Sequence, residues 1–215
     1  LYYVLENDND IVLSKGHAAP VLYAILADKG LIPMKELETF CQLGSRLEGH
    51  PSNSLPGVLM TSGSLGNGLG VGAGLALAHK MDGIKKLVFV VMSDAEFEEG
   101  STLEAAYFAV DHNLHNLIAF IDNNGWGATH RISSHPIDNG IFDKLRRINW
   151  IGTVNKQGNN VYECARLAGN LAPDLLNPYF VVNITTKGKG ISLMEDKPEW
   201  HGGIPSEQEI ELARK

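Results

Sequence analysis

The sequence predicts an α/β fold with a mostly parallel sheet and helices on both of its faces. Two apolar runs, residues 87–92 and 117–121, have the length and composition of buried strands. Residues 101–112, which lie between them, have a helical pattern. Because a strand, a crossover helix and a second strand occupy about 30 residues, we expect the two strands to be parallel neighbours.

Each remaining segment follows the same alternation. Pro20 suits a first helical position, and the apolar spacing of 20–28 and 34–43 predicts two helices. A loop at 46–64 leads to a third helix at 65–81. The second half of the chain predicts a loop at 133–140, a helix at 142–147, a strand at 150–154, a helix at 160–171, a strand at 179–185, a loop at 188–203 and a helix at 207–214. Alternation of this kind is typical of a sheet covered on both sides.

The composition indicates one globular domain, which we place at residues 1–215. The chain is 44% hydrophobic, and its net charge of −7 argues against nucleic acid or an anionic membrane as the main partner. No apolar run approaches the roughly 20 residues of a membrane span. The opening residues do not resemble a signal peptide, so we expect a cytoplasmic protein. Since an initiator Met is missing, we also expect the natural protein to begin upstream.

The two cysteines, Cys41 and Cys164, form neither a disulfide framework nor a metal-binding spacing. Free cysteines are usually buried, because they behave as small apolar side chains. We therefore expect both of them in the core, without a functional role.

Asp94 and Asn124 are the strongest candidates for a functional site. Asp94 follows the first apolar run, and Asn124 follows the second one 124 − 94 = 30 residues later. The carboxyl ends of neighbouring parallel strands lie at one edge of a sheet, where such folds bind ligands. A carboxylate and an amide carbonyl suit a hard cation such as Mg²⁺, which completes its shell with phosphate and water. The spacing therefore predicts a diphosphate held by a metal ion.

The glycines of residues 66–76 need an explanation, since each Gly costs about 1 kcal/mol relative to Ala inside a helix. Residues 68–73 superficially match a dinucleotide-binding fingerprint, but that motif must follow a strand and a Ser/Gly loop precedes it here. Two compatible explanations stay open. The helix could pack closely, including against a partner chain, and its first turn could contact a cofactor.

Three histidines lie in loops beside Gly or Pro, namely His17, His50 and His201. A single loop His is more often solvated or merely hydrogen-bonded. Three in such settings favour function, because loops on a rigid sheet often form binding sites. Histidine also suits proton transfer and the binding of anionic oxygens near neutral pH.

Two further patterns have ordinary explanations. Residues 186–190 could form a phosphate-binding loop or, equally, a solvated turn. Acidic side chains cluster near the start of the helix at 101, where they favour the helix dipole. They are Glu96, Glu98, Glu99 and Glu104.

The run Ser93-Asp94-Ala95-Glu96, together with Asp122-Asn123-Asn124, resembles the thiamine diphosphate motif, which opens Gly-Asp-Gly and closes on Asn about 30 residues later. Further segments resemble transketolase in chain order. They are residues 13–17, 42–46, 49–51, 55–58, 61–66 and 198–202. The resemblance runs from about Asp10 to the C-terminus. It implies a thiamine diphosphate-binding fold and the N-terminal, diphosphate-binding subunit of a split transketolase.

Thiamine diphosphate and Mg²⁺ are the cofactors that the resemblance implies. The metal ligands would be Asp94, Asn124 and the backbone carbonyl of Trp126. His17 and His201 match histidines that contact the diphosphate, and His201 would also lie near the substrate. His50 matches a histidine that binds a hydroxyl of the donor sugar. Gly63, Ser64, Leu65 and Ala95 match cofactor-binding positions, and Glu99 matches an acid at the subunit interface.

The resemblance also implies an activity and a partner. A separate C-terminal, pyrimidine-binding subunit would supply the glutamate that activates the cofactor, in a heterotetramer. The pair would transfer a two-carbon ketol unit from a ketose, or ketose phosphate, to an aldose. Two alternatives stay open, another thiamine-dependent carboligase such as a deoxyxylulose-phosphate synthase, and a degenerate subunit without catalysis.

Three departures from the family pattern favour an unusual substrate or lost activity. Ser93 and Ala95 replace the two glycines around Asp94, and a methyl at Ala95 could weaken the approach of backbone to phosphate. Residues 157–160 are Gln-Gly-Asn-Asn, where the family has Asp-Gly-His-Asp. The first active-site His of the family lies upstream of residue 1.

Overall fold

A parallel sheet of five strands forms the centre of the molecule, in the spatial order β1-β2-β3-β5-β4. The computed structural model describes residues 8–132, 140–171 and 176–214. The strands are β1 (Asp10–Leu13), β2 (Val88–Ser93), β3 (Leu117–Asn123), β4 (Ile151–Asn155) and β5 (Tyr179–Ile184). The predicted fold class is confirmed, as is the parallel pairing of the two apolar runs.

Helices cover both faces of this sheet. They are α1 (Ala19–Asp28), α2 (Gly68–Met81), α3 (Gly100–Asp111), α4 (Gly140–Arg147) and α5 (Val161–Gly169), whereas the last helix, α6 (Glu207–Ala213), has no buried residue. The larger core lies between the sheet and α2, α3 and α4, whereas α1 and α5 pack on the opposite face. None of the helices in the described part of the chain is long and apolar enough to cross a membrane.

Small residues let α2 lie close to the sheet. A Cβ atom built on Gly72 would stand 2.3 Å from Cγ2 of Val90, and one on Gly68 would stand 2.2 Å from the Ser14 hydroxyl oxygen. Contacts that short cannot be accommodated without moving the helix. Gly68 and Gly72 therefore serve close packing, as one of the two explanations predicts.

Several segments differ from their sequence-based expectation. The structure adds β1, which the sequence pattern does not predict. Residues 34–43 form only a short 3₁₀ turn, Met34–Thr39, because none of its side chains is buried and Cys41 has a left-handed backbone with φ +55°. Helix α2 begins at Gly68 rather than 65, since Gly66 also has a positive φ of +81°. The expected loop at 133–139 lies outside the described residues.

The prediction for the cysteines is wrong in part. Cys41 is exposed, because it lies in the loop after the short turn and not on a helix. Cys164 is half-buried on α5, where its thiol donates to the Gly158 carbonyl at 3.4 Å. Neither position supports a disulfide.

Candidate functional site

The buried carboxylate of Asp94 lies at the carboxyl edge of the sheet. It follows β2 directly and is 0% exposed. Its Oδ1 accepts from the backbone N–H of Ala95 at 2.9 Å, and its Oδ2 accepts from the N–H of Gly125 at 2.7 Å. Gly125 belongs to the segment after β3, so this carboxylate ties together the ends of the two central strands. A carboxylate oxygen has two lone pairs, so it can ligate a cation while it accepts a hydrogen bond.

Asn124 lies half-buried beside it, in the same segment as Gly125. Its Oδ1 accepts from the Trp126 N–H at 2.9 Å. Trp126 and Arg131 form an isolated antiparallel bridge, whose two hydrogen bonds join Gly127 to His130 and Ile132 to Gly125. The Trp126 carbonyl is not used in that bridge and can serve as a ligand.

These three oxygen donors fit a hard cation. Within the described ranges, no cluster of three or more His, Cys, Asp or Glu side chains could hold a metal ion by itself. One carboxylate, one amide oxygen and one backbone carbonyl leave about half of an octahedral shell to other ligands. Mg²⁺ commonly takes those from phosphate and water. The donor set therefore fits a cation that is bound together with a phosphate group.

A half-buried ion pair adjoins the metal candidates. The Lys15 ammonium donates to Oδ2 of Asp122, and the Thr185 hydroxyl donates to Oδ1. Burial on its own would raise the pKa of the Asp122 carboxyl, but the charge and hydrogen bond of Lys15 outweigh it and the pKa lies below its usual value. The Asn124 amide donates to the same carboxylate at 3.4 Å. Asp122 thus links the metal candidates to Lys15.

Two of the predicted histidines meet next to this ion pair. The ring centroids of His17 and His201 are 5.2 Å apart, and the Lys187 ammonium is 3.2 Å from Nδ1 of His201. Partial burial, then the charge of Lys15, lowers the pKa of His17 to about 4. Partial desolvation, then the charge of Lys187, lowers the pKa of His201, which is an exposed residue. Both rings are therefore neutral at neutral pH and lie between two lysines, an arrangement suited to anionic oxygens.

Lys15 and Lys187 are site residues that the sequence reasoning did not assign. Lys15 lies two residues before His17, inside one of the segments that carry the resemblance. Lys187 belongs to residues 186–190, for which a phosphate loop and a solvated turn were equally plausible. Burial, then Lys15, lowers the pKa of Lys187. Lys187 is thus not a freely solvated turn residue, which supports the phosphate-loop interpretation.

His50, the third predicted histidine, packs against Gly16, the neighbour of His17, and against Gly63. A Cβ atom built on Gly16 would be 2.9 Å from Cδ2 of His50 and 3.0 Å from the backbone N of Gly63. The Tyr23 hydroxyl donates to the His50 carbonyl at 3.1 Å, which fixes this loop to α1. Position 63 favours glycine, because residues with a side chain rarely adopt its φ of +148°. Ser64 is exposed and Leu65 half-buried beside it.

The four acids near α3 do not behave alike. Glu99 and Glu104 are exposed, and Glu98 pairs with His130 at 3.2 Å. Glu99 lies against the backbone of Gly66, where an added Cβ would be 2.6 Å from the Glu99 Cβ. Glu96, in contrast, is fully buried. Glu96 also lies in a first helical turn, but its carboxylate is directed into the protein and accepts hydrogen bonds there.

A surface cluster joins the Trp126 bridge to the loop of residues 186–203. The Trp126 indole N–H donates to Oδ1 of Asp196 at 2.7 Å, and Arg131 donates to Oδ2 at 2.8 Å. The Arg131 guanidinium also lies over the Trp126 ring, 4.1 Å from its centroid. The backbone N–H of Asp196 donates to the Lys187 carbonyl at 2.9 Å. We call the side chains of Trp126, Arg131 and Asp196 the Asp196 clamp.

The departure at residues 157–160 is built into the fold. Asn160 caps α5, where its Oδ1 accepts from the N–H groups of Tyr162 and Glu163. Asn159 accepts from the Thr186 N–H at 2.8 Å and so holds the start of the 186–203 loop. The two asparagines therefore have structural partners in place of the family's His and Asp.

The chain matches the family described as "Transketolase, thiamine diphosphate binding domain" over residues 4–215. It is 36% identical to an apulose-4-phosphate transketolase subunit of Phocaeicola vulgatus, over 94% of this chain and 72% of that protein. It is 38% identical to the protein of the same name from Actinobacillus succinogenes, over 99% of this chain and 80% of that protein. A transketolase of Pongo abelii is 37% identical, but only 31% of its length is covered.

Solved structures agree with these sequence relationships. A transketolase of Campylobacter jejuni superposes with a TM-score of 0.87 at 25% identity, over 99% of this chain and 34% of that one. A transketolase of Leishmania mexicana superposes with a TM-score of 0.85 at 28% identity, over 99% of this chain and 33% of that one. The chain thus spans about a third of the solved transketolases, but most of the two bacterial transketolase subunits.

Proposed function

Because the chain belongs to the transketolase family and comprises its thiamine diphosphate-binding domain, we propose that it is the diphosphate-binding subunit of a split transketolase. With a pyrimidine-binding subunit it would transfer a two-carbon ketol unit from a ketose phosphate to an aldose. Two relatives that are covered over most of their length are named as one subunit of a transketolase, which supports a second subunit. A heterotetramer of two such pairs is the assembly we propose.

The observation that carries the proposal is the position of Asp122. Its carboxylate binds Lys15 on one side and the Asn124 amide on the other. The oxygen donors for a cation and the cationic, histidine-lined corner therefore adjoin each other at one edge of the sheet. A diphosphate needs both, a divalent cation and donors to its remaining anionic oxygens.

In the proposed site, Asp94, Asn124 and the Trp126 carbonyl hold the divalent cation. Lys15 and Lys187 neutralise diphosphate charge, and the neutral rings of His17 and His201 donate hydrogen bonds to its oxygens. When bound, thiamine diphosphate supplies the stabilised carbanion that cleavage of the ketose carbon–carbon bond requires. The chain's own residues bind the cofactor, orient it and neutralise the charge of its diphosphate.

The remaining predicted residues surround the proposed metal and diphosphate site. The segment Gly63, Ser64 and Leu65 borders the cofactor, and His50, exposed beside it, binds a hydroxyl of the donor sugar. Glu99 contacts the partner subunit from its exposed position beside Gly66. Ala95 remains compatible with the cofactor, because its N–H orients the Asp94 carboxylate as a glycine N–H would.

The test uses the chain together with its pyrimidine-binding subunit. We expect Mg²⁺-dependent binding of thiamine diphosphate by calorimetry, and ketol transfer from a panel of ketose phosphates. The relatives' names make apulose 4-phosphate the first donor to try. Binding without turnover of any donor would favour the degenerate alternative, and turnover only with the substrates of deoxyxylulose-phosphate synthesis would favour the other carboligase.

Asp94→Ala in the same complex tests the metal site. The substitution removes the only carboxylate of the donor set, so we expect Mg²⁺-dependent cofactor binding to be abolished. Asp28→Ala, at an exposed position of α1, is the control and should bind as the unmodified protein does. Unchanged cofactor affinity in the Asp94 variant would show that the cation is held elsewhere.

A further inference from the structure

Glu96 is a fully buried carboxylate for which the proposed function has no use. It lies in the 3₁₀ turn Asp94–Glu98 that follows β2. Its Oε1 accepts from the Ser14 hydroxyl and from the Gly66 N–H at 3.2 Å. Its Oε2 accepts from the Ser93 N–H at 2.8 Å and from the Ser93 hydroxyl at 3.4 Å. A carboxylate in the interior is costly unless such partners satisfy it.

The Glu96 carboxylate accepts every one of its hydrogen bonds, and each partner donates. The Gly68 N–H donates to the Ser14 hydroxyl oxygen at 3.2 Å, so the Ser14 proton is directed at Glu96. Gly66 and Ser93 can offer only their N–H groups from the backbone. Every partner is therefore a donor, and only a group that accepts on both terminal atoms satisfies them. The backbone is fixed as well, because the Thr102 hydroxyl donates to the Glu96 carbonyl at 2.6 Å.

The three segments that meet at Glu96 each continue into the proposed site. Ser14 directly precedes Lys15 and lies three residues before His17, and both of these line the cationic corner. Gly66 directly follows the Gly63–Leu65 segment. Ser93 directly precedes Asp94, the metal carboxylate. Two of these contacts join distant parts of the chain, since Ser14 is 82 positions from Glu96 and Gly66 is 30 positions from it.

The packing around Glu96 leaves these segments little freedom. A Cβ atom on Gly68 would be 2.2 Å from the Ser14 hydroxyl oxygen, and one on Gly66 would be 2.7 Å from the Ser101 hydroxyl oxygen. The segments can therefore approach Glu96 only in about the observed arrangement. A change at Glu96 should shift Ser14, Gly66 and Ser93 relative to one another, because its carboxylate accepts from all three.

We propose that Glu96 is a positioning residue, which holds the metal carboxylate, the cationic corner and the Gly63–Leu65 segment in one arrangement for the cofactor. The inference rests on the proposed function of those segments. It also assigns a role to Ser93, which replaces a family glycine. The Ser93 hydroxyl adds one more donor to the same carboxylate.

Glu96→Gln is the main test, made in the complex with the pyrimidine-binding subunit. An amide has nearly the same shape, but one of its terminal atoms becomes an NH₂ group that faces the N–H of Gly66 or of Ser93. Partners of this kind typically change metal affinity or activity by roughly 10- to 100-fold. We expect a loss of that size in thiamine diphosphate affinity by calorimetry, with kcat largely recovered at saturating cofactor.

Two further measurements separate positioning from stability. Amide hydrogen exchange without cofactor should become faster at Gly66 or at Ser93, whichever N–H faces the new NH₂ group and loses its acceptor. Ser14→Ala keeps the carboxylate and removes one donor, so it should weaken cofactor affinity in the same direction by a smaller factor. Ser14→Ala also tests the proposal if the Glu96→Gln variant fails to fold. Glu163→Gln, at an ion pair on α5, is the matched control and should change nothing.

The outcomes are distinct. If the unmodified complex binds thiamine diphosphate and both Glu96→Gln and Ser14→Ala bind it equally well, the inference is wrong although the proposed function stands. A lower melting temperature with unchanged cofactor affinity leads to the same conclusion, because Glu96 would then be structural only. If the unmodified complex does not bind the cofactor at all, the proposed function fails and the inference fails with it.

Discussion

At the scale of single residues, the environment of Ala95 decides how a departure from the family motif is accommodated. Its N–H donates to Asp94 at 2.9 Å, and the residue is only 9% exposed. The motif that the chain resembles has a glycine here. A methyl group at this position lies next to the carboxylate that we propose as a metal ligand.

We expect Ala95→Gly to strengthen thiamine diphosphate binding or to leave it unchanged, because it removes a methyl near the diphosphate. The folded protein should lose about 0.4–1 kcal/mol of stability, since Gly raises the entropy of the unfolded chain. Calorimetry with the partner subunit measures the affinity, and urea unfolding measures the stability separately. A clear loss of affinity would mean that the loop has adapted to the methyl group.

The lowered pKa of His17 predicts how the stability of the folded protein depends on pH. It is lowered from 6.5 to about 4, with partial burial as the largest cause and Lys15 next. Above pH 6.5 the ring is neutral in both the folded and the unfolded chain and contributes nothing to the pH dependence. As the pH falls from 6.5 towards 4, the unfolded chain takes up a proton that the folded one does not. Stability should therefore decline over that window.

NMR titration of the His17 ring checks this directly, with His17→Gln to assign the resonance. We expect a midpoint far below 6.5 in the free chain. Addition of thiamine diphosphate and Mg²⁺ with the partner subunit should raise the midpoint, because the anion favours the charged imidazolium. A midpoint near 6.5 in the free chain, or one that ignores the cofactor, would contradict the placement of His17 beside Lys15 and the diphosphate.

At the scale of elements, the glycines of α2 have unequal roles. Gly72 faces the sheet, where an added Cβ would be 2.3 Å from Val90, whereas an added Cβ on Gly74 meets nothing within 4 Å. Substitution by Ala favours a helix by about 1 kcal/mol at either position. Only at Gly72 does overpacking oppose that gain, at a cost of typically about 1–3 kcal/mol.

Gly72→Ala should therefore be neutral to destabilising by up to about 2 kcal/mol, as the gain is subtracted from the packing cost. Gly74→Ala should stabilise the isolated chain by up to about 1 kcal/mol. Urea unfolding of the two variants side by side is the measurement. Equal effects at the two positions would mean that α2 does not lie on β2 as closely as described.

The sequence predicts features that depend on local patterns, and it does not predict those that depend on contacts between distant residues. The spacing of two apolar runs is a local pattern, and it places Asp94 and Asn124 correctly at the ends of neighbouring strands. Strand β1 is only four residues long, so its apolar pattern is too short to predict a strand. The spacing of Ser93 and Glu96 is that of a capping box, but the burial of Glu96 also depends on Ser14, which is 82 positions away in the sequence.

The same reasoning explains the histidines and lysines. His17 and His201 are predictable as candidates from their loops, but their ring contact depends on how the 186–203 loop folds back. Lys187 could not be distinguished from a solvated turn residue, since only its tertiary position lowers its pKa. For the roles of the site residues, the resemblance is more informative than the residue pattern.

At the scale of the whole molecule, the proposed site is only part of a catalyst. The described residues supply ligands for a diphosphate and a cation, and no described element supplies the pyrimidine-binding part that the resemblance requires. The chain also spans only about a third of the solved transketolases. In the enzyme that we propose, a pyrimidine-binding subunit supplies that part.

We expect the purified 215-residue chain to have no ketol transfer activity with thiamine diphosphate and Mg²⁺. Addition of the pyrimidine-binding subunit should restore it in proportion to the complex formed. A coupled assay over a titration of that subunit makes the measurement, with the Asp94→Ala chain as the control. Full activity of the chain alone would overturn the proposal of a split enzyme.

The Asp196 clamp has a consequence for how the site fills. The Asp196 carboxylate accepts from the Trp126 indole N–H, and the Asp196 backbone N–H donates to the Lys187 carbonyl. In the proposed site the cation contacts Trp126 and the diphosphate contacts Lys187, so Asp196 would link the two binding positions, and such linkage is reciprocal. Cation and diphosphate should therefore bind cooperatively, each more tightly in the presence of the other.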